Sequence, residues 1–205
     1  IVSRNSQEFQ GYLKSLENRL EISINFAIQN FYGNSKPLGT SDAIFQTMNQ
    51  YEELIKTRFL VCNCDNLYSV KAIKTLLGES NYNSMIAYDF EYLEFSNDRL
   101  SSFSLLNIEN NFLSKIIEKP DLELIINHSR KKYVSMNIFS FNGSEIYKHL
   151  RDCPINVKRG EKEIATALQN MILENKKSVI AFPLCEHVPD LTYKDDLEKI
   201  NKFLN

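Results

Sequence analysis

The chain has 205 residues, 43% hydrophobic and 11% aromatic, with 24 Lys+Arg against 26 Asp+Glu and a formal net charge of -2. That length suits one domain, or at most two small ones, and is ample for a real core, and the charge balance argues against a general nucleic-acid binder, which needs a basic face. No apolar run approaches the roughly 20 residues that cross a bilayer, and with 6 Gly and 5 Pro the chain is neither collagen-like nor a linker.

Phe9, Tyr12, Leu13, Leu16 and Leu20 recur at helical spacing and predict a helix over residues 6–19. Residues 21–26 alternate polar and apolar and predict a strand with one wet face. A loop of turn formers occupies 33–39, and Thr40 or Ser41 opens a second helix carrying Ala43, Ile44, Met48 and Leu54 on one side. Residues 59–63 are a short apolar strand of the kind buried on both faces, with a helix following over 70–77. Strands are then predicted at 84–88, 102–107, 112–117, 133–141 and 178–183, and helices at 144–151, 161–174 and 194–204. The alternation predicts an α/β sheet with crossover connections in one domain, its second half elaborating the sheet edge.

Cys62, Cys64, Cys153 and Cys185 are too few and scattered for a disulfide scaffold. Cys62 and Cys64, two apart on a strand, share a face and read as buried thiols rather than metal ligands. His128, His149 and His187 lie far apart, without the spacing of a zinc site or a nucleophilic triad. His187, three residues before Asp190, reads as a surface histidine, with an approach to the Asp190 loop as the other reading. The basic run Arg130-Lys131-Lys132 is a solvated turn or a source of phosphate attraction. Residues 1–5 do not read as a signal peptide, and a reducing, cytoplasmic setting is expected.

In an open α/β sheet ligands bind at the carboxyl ends of strands. The strand at 59–63 delivers Asp65 just before a helix, where a carboxylate either holds a Mg²⁺ bridging to phosphates or caps the turn. Gly39-Thr40 stands directly before a helix start, where backbone N–H groups can meet a base or phosphate, although ordinary capping predicts the same residues. Asp190 is a second acid between a strand and a helix, and Glu118-Lys119 ends another strand. Such strand neighbours normally point to opposite faces.

These pieces, in this order, resemble the sugar-1-phosphate nucleotidyltransferases, the pyrophosphorylases that make nucleotide-diphosphate sugars. Pro37-Leu38-Gly39-Thr40-Ser41-Asp42-Ala43 resembles their Gly-Thr-Ala-Asp-Ala stretch, and residues 59–68 their strand ending in Gly-Asp-His/Asn-Leu-Tyr. Ile117-Glu118-Lys119-Pro120 resembles Val-Glu-Lys-Pro, and residues 134–141 resemble Ala-Ser-Met-Gly-Ile-Tyr-Val-Phe. Arg159-Gly160-Glu161-Lys162-Glu163-Ile164 is similar to Arg-Gly-Glu-Leu-Glu-Ile, and residues 190–197 to Asp-Ile-Gly-Thr-Pro-Glu-Asp-Leu.

The resemblance implies a Rossmann-like open mixed α/β sheet of the nucleotide-diphospho-sugar transferase type, and transfer of a nucleotidyl group from a nucleoside triphosphate to a sugar 1-phosphate with release of pyrophosphate. By carry-over, Asp65 and Asp190 would hold Mg²⁺, Gly39, Thr40 and Asp65 would meet the nucleotide, and Glu118, Ser135 and Glu163 the sugar. Lys119 would be both substrate-binding and catalytic, as a point charge on the sugar phosphate. Neither a nucleic-acid nor a membrane partner is expected, and homo-oligomers occur in the family.

Cys64, Asn137 and Thr192 stand where the family has Gly; Asn tolerates a left-handed backbone, whereas β-branched Thr192 does not. The family's first strand and Gly-rich loop, ending in Gly-Thr-Arg, have no counterpart here, and Ile1-Val2-Ser3 resembles the end of its second strand. The expectation is a longer protein with some ~60 residues ahead, enough for one βαβ unit and loops. A catalytically degenerate subunit that binds nucleotide-sugars or serves assembly or regulation is the alternative function. A glycosyltransferase is disfavoured because Cys64-Asp65-Asn66 is not Asp-x-Asp.

Overall fold

The structure, a computed structural model, describes residues 2–3, 6–79, 81–126, 131–194 and 196–204. The basic run's Arg130 and the histidine His128 lie outside the described residues. In chain order the elements begin with β1 (Val2–Ser3), α1 (Gln7–Leu20), β2 (Ala27–Ile28), α2 (Thr40–Gln50), α3 (Glu53–Lys56), β3 (Arg58–Cys62) and α4 (Val70–Gly78). There follow β4 (Asn83–Asp89), a 3₁₀ turn over Phe90–Tyr92, α5 (Asn97–Leu100), β5 (Ser104–Glu109), β6 (Phe112–Ile117) and α6 (Leu122–Ile126). The chain continues through β7 (Tyr133–Ser135), β8 (Ile138–Asn142), α7 (Gly143–Arg151), α8 (Ile164–Glu174), β9 (Val179–Leu184) and α9 (Asp196–Leu204). Among the described residues no helix is long and apolar enough to cross a membrane.

The chain divides into two compact units, residues 1–57 with 143–167 and residues 58–142 with 168–205. In the first, β1 and β2 pair in parallel, and Leu13, Ile44, Met48, Ile146 and Leu150 are buried. The strand expected at 21–26 is not formed; β2 comes after it, at Ala27–Ile28. Side chains meet the backbone there in place of a ladder: the Glu17 carboxylate accepts the Ile24 N–H at 2.8 Å, and the Tyr51 hydroxyl donates to the Phe26 carbonyl at 2.8 Å. One turn apart on α2, Gln50 and Gln46 continue this role, each side-chain amide making two bonds to the backbone of Ile28 and Asn30 respectively. The second helix stops at Gln50, leaving Leu54 on the separate α3. Gly143 opens α7 where an added Cβ would lie 1.8 Å from the Leu54 carbonyl oxygen, so only glycine fits.

Among the described residues the second unit is built on a seven-stranded mixed sheet. Central β4 runs parallel to β9 from Asn83↔Val179 to Tyr88↔Leu184, and on its other side meets β8 and then β7, both antiparallel. The β5–β6 hairpin extends from β7, and β3 pairs antiparallel with β8. Two antiparallel pairings leave β3 and β4 parallel to each other, so β3, β4 and β9 all aim their carboxyl ends the same way, the arrangement that gathers ligand-binding loops. Ile86, Tyr88, Leu105, Val134, Met136 and Val188 form its core, each large side chain contributing about 1.5–3 kcal/mol by burial.

Three expectations are corrected in this unit. β3 is only half-buried, with β8 its one partner strand among the described residues, and Cys62 and Cys64 are exposed rather than buried thiols. The single strand expected over 133–141 is two, β7 and β8, because Asn137 takes a left-handed φ of 55° between them.

Candidate active site

Asp65 and Asp190 come together through their backbones. The loop after β3 and the loop after β9 form an antiparallel bridge at Asn66↔Asp190, with the Leu67 N–H donating to the Pro189 carbonyl at 2.9 Å and the Leu191 N–H to the Asp65 carbonyl at 2.8 Å. The two carboxylates thus sit on adjoining strands of loop, one residue out of register. Asp65 is half-buried, and its carboxylate has no side-chain partner among the described residues. Asp190 is buried, and both its oxygens are engaged: Oδ1 accepts the Thr192 hydroxyl at 2.8 Å, and Oδ2 lies 3.1 Å from the Arg99 guanidinium.

Thr192 is unstrained, since its φ is not positive, and it adds a hydroxyl to the acid. The donor set fits Mg²⁺, which is held by one or two carboxylates and takes its remaining ligands from water and phosphate. Each engaged Asp190 oxygen keeps a second lone pair.

Tyr68 extends this cluster toward Ser135. Its hydroxyl donates to the Met136 carbonyl at 2.6 Å and accepts the Asn63 N–H at 3.3 Å, tying the Asp65 loop to the bend after β7; burial pushes the phenol up. Ser135, buried at the end of β7, accepts the Asn137 N–H at 3.2 Å and pairs across the ladder with Ser104. Ser104 donates its hydroxyl to Glu118, which stands just past the end of β6. Glu118 and Lys119 do not alternate as strand neighbours do: Lys119 lies beyond the strand at φ 45°, exposed, with no partner for its ammonium among the described residues. Asp65, Asp190, Ser135, Glu118 and Lys119 all belong to the second unit.

Gly39, Thr40 and Glu163 belong to the first. Gly39 caps α2 at φ 95°, and Thr40 is the first helical residue. A Cβ on Gly39 would lie 2.8 Å from the Lys162 carbonyl oxygen, which also accepts the Ser41 N–H at 3.1 Å. Glycine is thus required by the chain's own backbone. Glu163 is buried, paired with Arg159 and accepting from the Asn156 amide at 3.2 Å.

Sequence reasoning did not single out Arg99, Tyr68 or Ser104. Tyr68 lay inside a quoted motif; Arg99, in an irregular stretch, carried no periodic or spacing signal. His187 is half-buried rather than on the surface, packed edge-on against Phe95 at 4.9 Å between ring centroids, its Nδ1 accepting the Glu94 N–H at 3.1 Å. With Phe95, Pro189, Asp190 and Phe203 it lines a cavity of about 140 Å³.

This mixed α/β architecture is that of the nucleotidyltransferase-like folds. Three solved structures illustrate the likeness. One described as a glucose-1-phosphate thymidylyltransferase from Bacillus anthracis, in complex with sucrose, matches with a TM-score of 0.70 at 15% identity, covering 99% of this chain and 74% of that one. A UDP-glucose pyrophosphorylase complexed with UDP-glucose gives 0.67 at 17%, covering 98% and 74%. An inositol-1-phosphate CTP transferase from T. maritima gives 0.70 at 15%, covering 99% and 74%. No family model and no curated protein matches the sequence. At these identities the likeness is one of fold.

Proposed function

We propose that the protein transfers a nucleotidyl group from a nucleoside triphosphate to a sugar 1-phosphate, releasing pyrophosphate. The observation that supports this reading is the Asn66↔Asp190 bridge, which joins the Asp65 loop to the Asp190 loop by backbone at the carboxyl ends of β3 and β9, in a fold shared with a solved pyrophosphorylase. In-line attack of a sugar-phosphate oxygen on the α-phosphorus demands placement and charge neutralisation more than covalent help from the protein. Asp65 and Asp190 would hold Mg²⁺, which when bound lowers the negative charge between the two phosphates. Glu118, oriented by Ser104, accepts hydrogen bonds from sugar hydroxyls beside Ser135. Lys119, exposed on its left-handed turn, offers an ammonium to the sugar phosphate. On the sequence resemblance alone, Gly39 and Thr40 are assigned to the nucleotide and Glu163 to the sugar.

A second reading, binding of nucleotide-sugars without turnover, draws support from the Asp190 oxygens and the Glu163 carboxylate, all already engaged by protein groups. One experiment separates the two. Thermal shifts of the full-length protein with UDP-, dTDP-, CDP-, ADP- and GDP-sugars, with and without Mg²⁺, are paired with a pyrophosphate-release assay. A ligand at a hundred times its Kd adds about 2.7 kcal/mol. Transfer predicts a Mg²⁺-dependent shift for one base, lost in Asp65→Asn, together with pyrophosphate release. A shift without release selects the binding reading, and a flat panel with no release overturns both.

A further inference from the structure

We infer that Arg99 is the positioning residue that fixes the Asp190 carboxylate and its loop where they bridge the Asp65 loop, an inference that rests on the transfer reading above. Arg99 sits on the single-turn α5, its side chain 14% exposed. Its two terminal nitrogens form a fork on Asp196, Nη1 to Oδ1 at 2.8 Å and Nη2 to Oδ2 at 2.9 Å. Nη2 also donates to the Asp190 backbone carbonyl at 3.0 Å and stands 3.1 Å from Asp190 Oδ2. The guanidinium carbon lies 4.7 Å from the Phe95 ring centroid and 5.3 Å from that of Tyr193. One cation therefore grips both ends of the 190–196 segment, and Asp196 closes it further by accepting the Tyr193 N–H at 2.8 Å.

The arrangement answers a specific problem. A carboxylate as buried as Asp190 is costly to keep charged without a partner, yet a partner that consumed it would end its use as a ligand. Arg99 divides its donors between Asp196, the Asp190 carbonyl and one Asp190 oxygen, so the charge is compensated while lone pairs remain. The planar fork, set by the two aromatic rings, fixes direction as well as charge, which a lysine on a flexible stem does not reproduce.

The test titrates Mn²⁺ alone, followed by electron paramagnetic resonance, into the full-length protein and its Asp65→Asn, Asp190→Asn, Arg99→Lys and Arg99→Met variants. Groups that orient metal ligands typically change affinity by about 10–100-fold when altered. The expected result is a site weakened by both Asp substitutions, weakened about tenfold or more in Arg99→Lys, and weakened further in Arg99→Met. The apparent KM for Mg²⁺ rises in parallel while that for the sugar phosphate stays put. If Arg99→Lys does not fold, Asp196→Asn removes the fork's anchor and is expected to weaken Mn²⁺ in the same sense. Arg99→Lys, or in its place Asp196→Asn, folding and binding Mn²⁺ like the wild type, while Asp190→Asn does not, overturns this inference and leaves the transfer reading intact. No Mn²⁺ site in the wild type, or one indifferent to both Asp substitutions, overturns the two together.

Discussion

At the residue scale, the acids differ in how the fold has treated them. Among the described residues Asp65 is left without a side-chain partner, Asp190 is gripped, and Asp89 at the end of β4 is locked by Lys131 at 2.7 Å. Burial raises the Asp89 carboxyl, but the Lys131 ammonium, the Glu91 N–H and the Cys185 thiol together hold it below its ordinary value. A carboxyl depressed in the folded state stabilises above its unfolded pKa, and that contribution is lost as pH falls through the folded one. Stability is therefore expected to decline on acidification below about pH 4. Lys131→Met is expected to move the Asp89 titration upward, followed by carboxyl-carbon NMR; an unchanged midpoint would contradict the pairing. Asp65→Asn, by contrast, is expected to leave stability within about 0.5 kcal/mol, the range of substitutions that break no contact, measured by urea denaturation.

At the element scale, the site depends on loops that recognise other loops. The Asp65 loop is joined to the Asp190 loop by a backbone bridge and to the β7–β8 bend by one hydroxyl, that of Tyr68. Tyr68→Phe leaves the Met136 carbonyl without its donor and is expected to cost about 1–2 kcal/mol. It is also expected to reduce the Mg²⁺-dependent thermal shift, because the Asp65 loop loses its tie to the bend after β7. Wild-type stability in that variant would show that the bend holds itself. The same bend marks where sequence reading went astray: residues 133–141 carry a continuous strand pattern, and only the left-handed Asn137 with the Tyr68 bond divides them. Helix positions were far more legible, as with α4 and α7, since their apolar spacing is a local property.

At the scale of the whole molecule, the near-balanced charge and the parallel set of β3, β4 and β9 carry the remaining expectation. A chain with net charge -2 is expected to show no retention of duplex DNA at physiological salt in a mobility-shift assay, since non-specific affinity comes from phosphate neutralisation. Retention that falls steeply with added salt would show a basic face that the overall charge conceals.

By itself the sequence determined the α/β class, most helices and the order of the motifs, because hydrophobic periodicity and turn residues act over a few neighbours. It also pointed to Asp65 and Asp190 as acids that end strands. Only the tertiary structure decided that these loops bridge, that Cys62 and Cys64 face outward on a half-buried β3, and that Arg99, 91 residues from Asp190, stands behind it. Strand order, register and ion pairing link residues far apart along the chain, and no local pattern encodes which distant partner completes them.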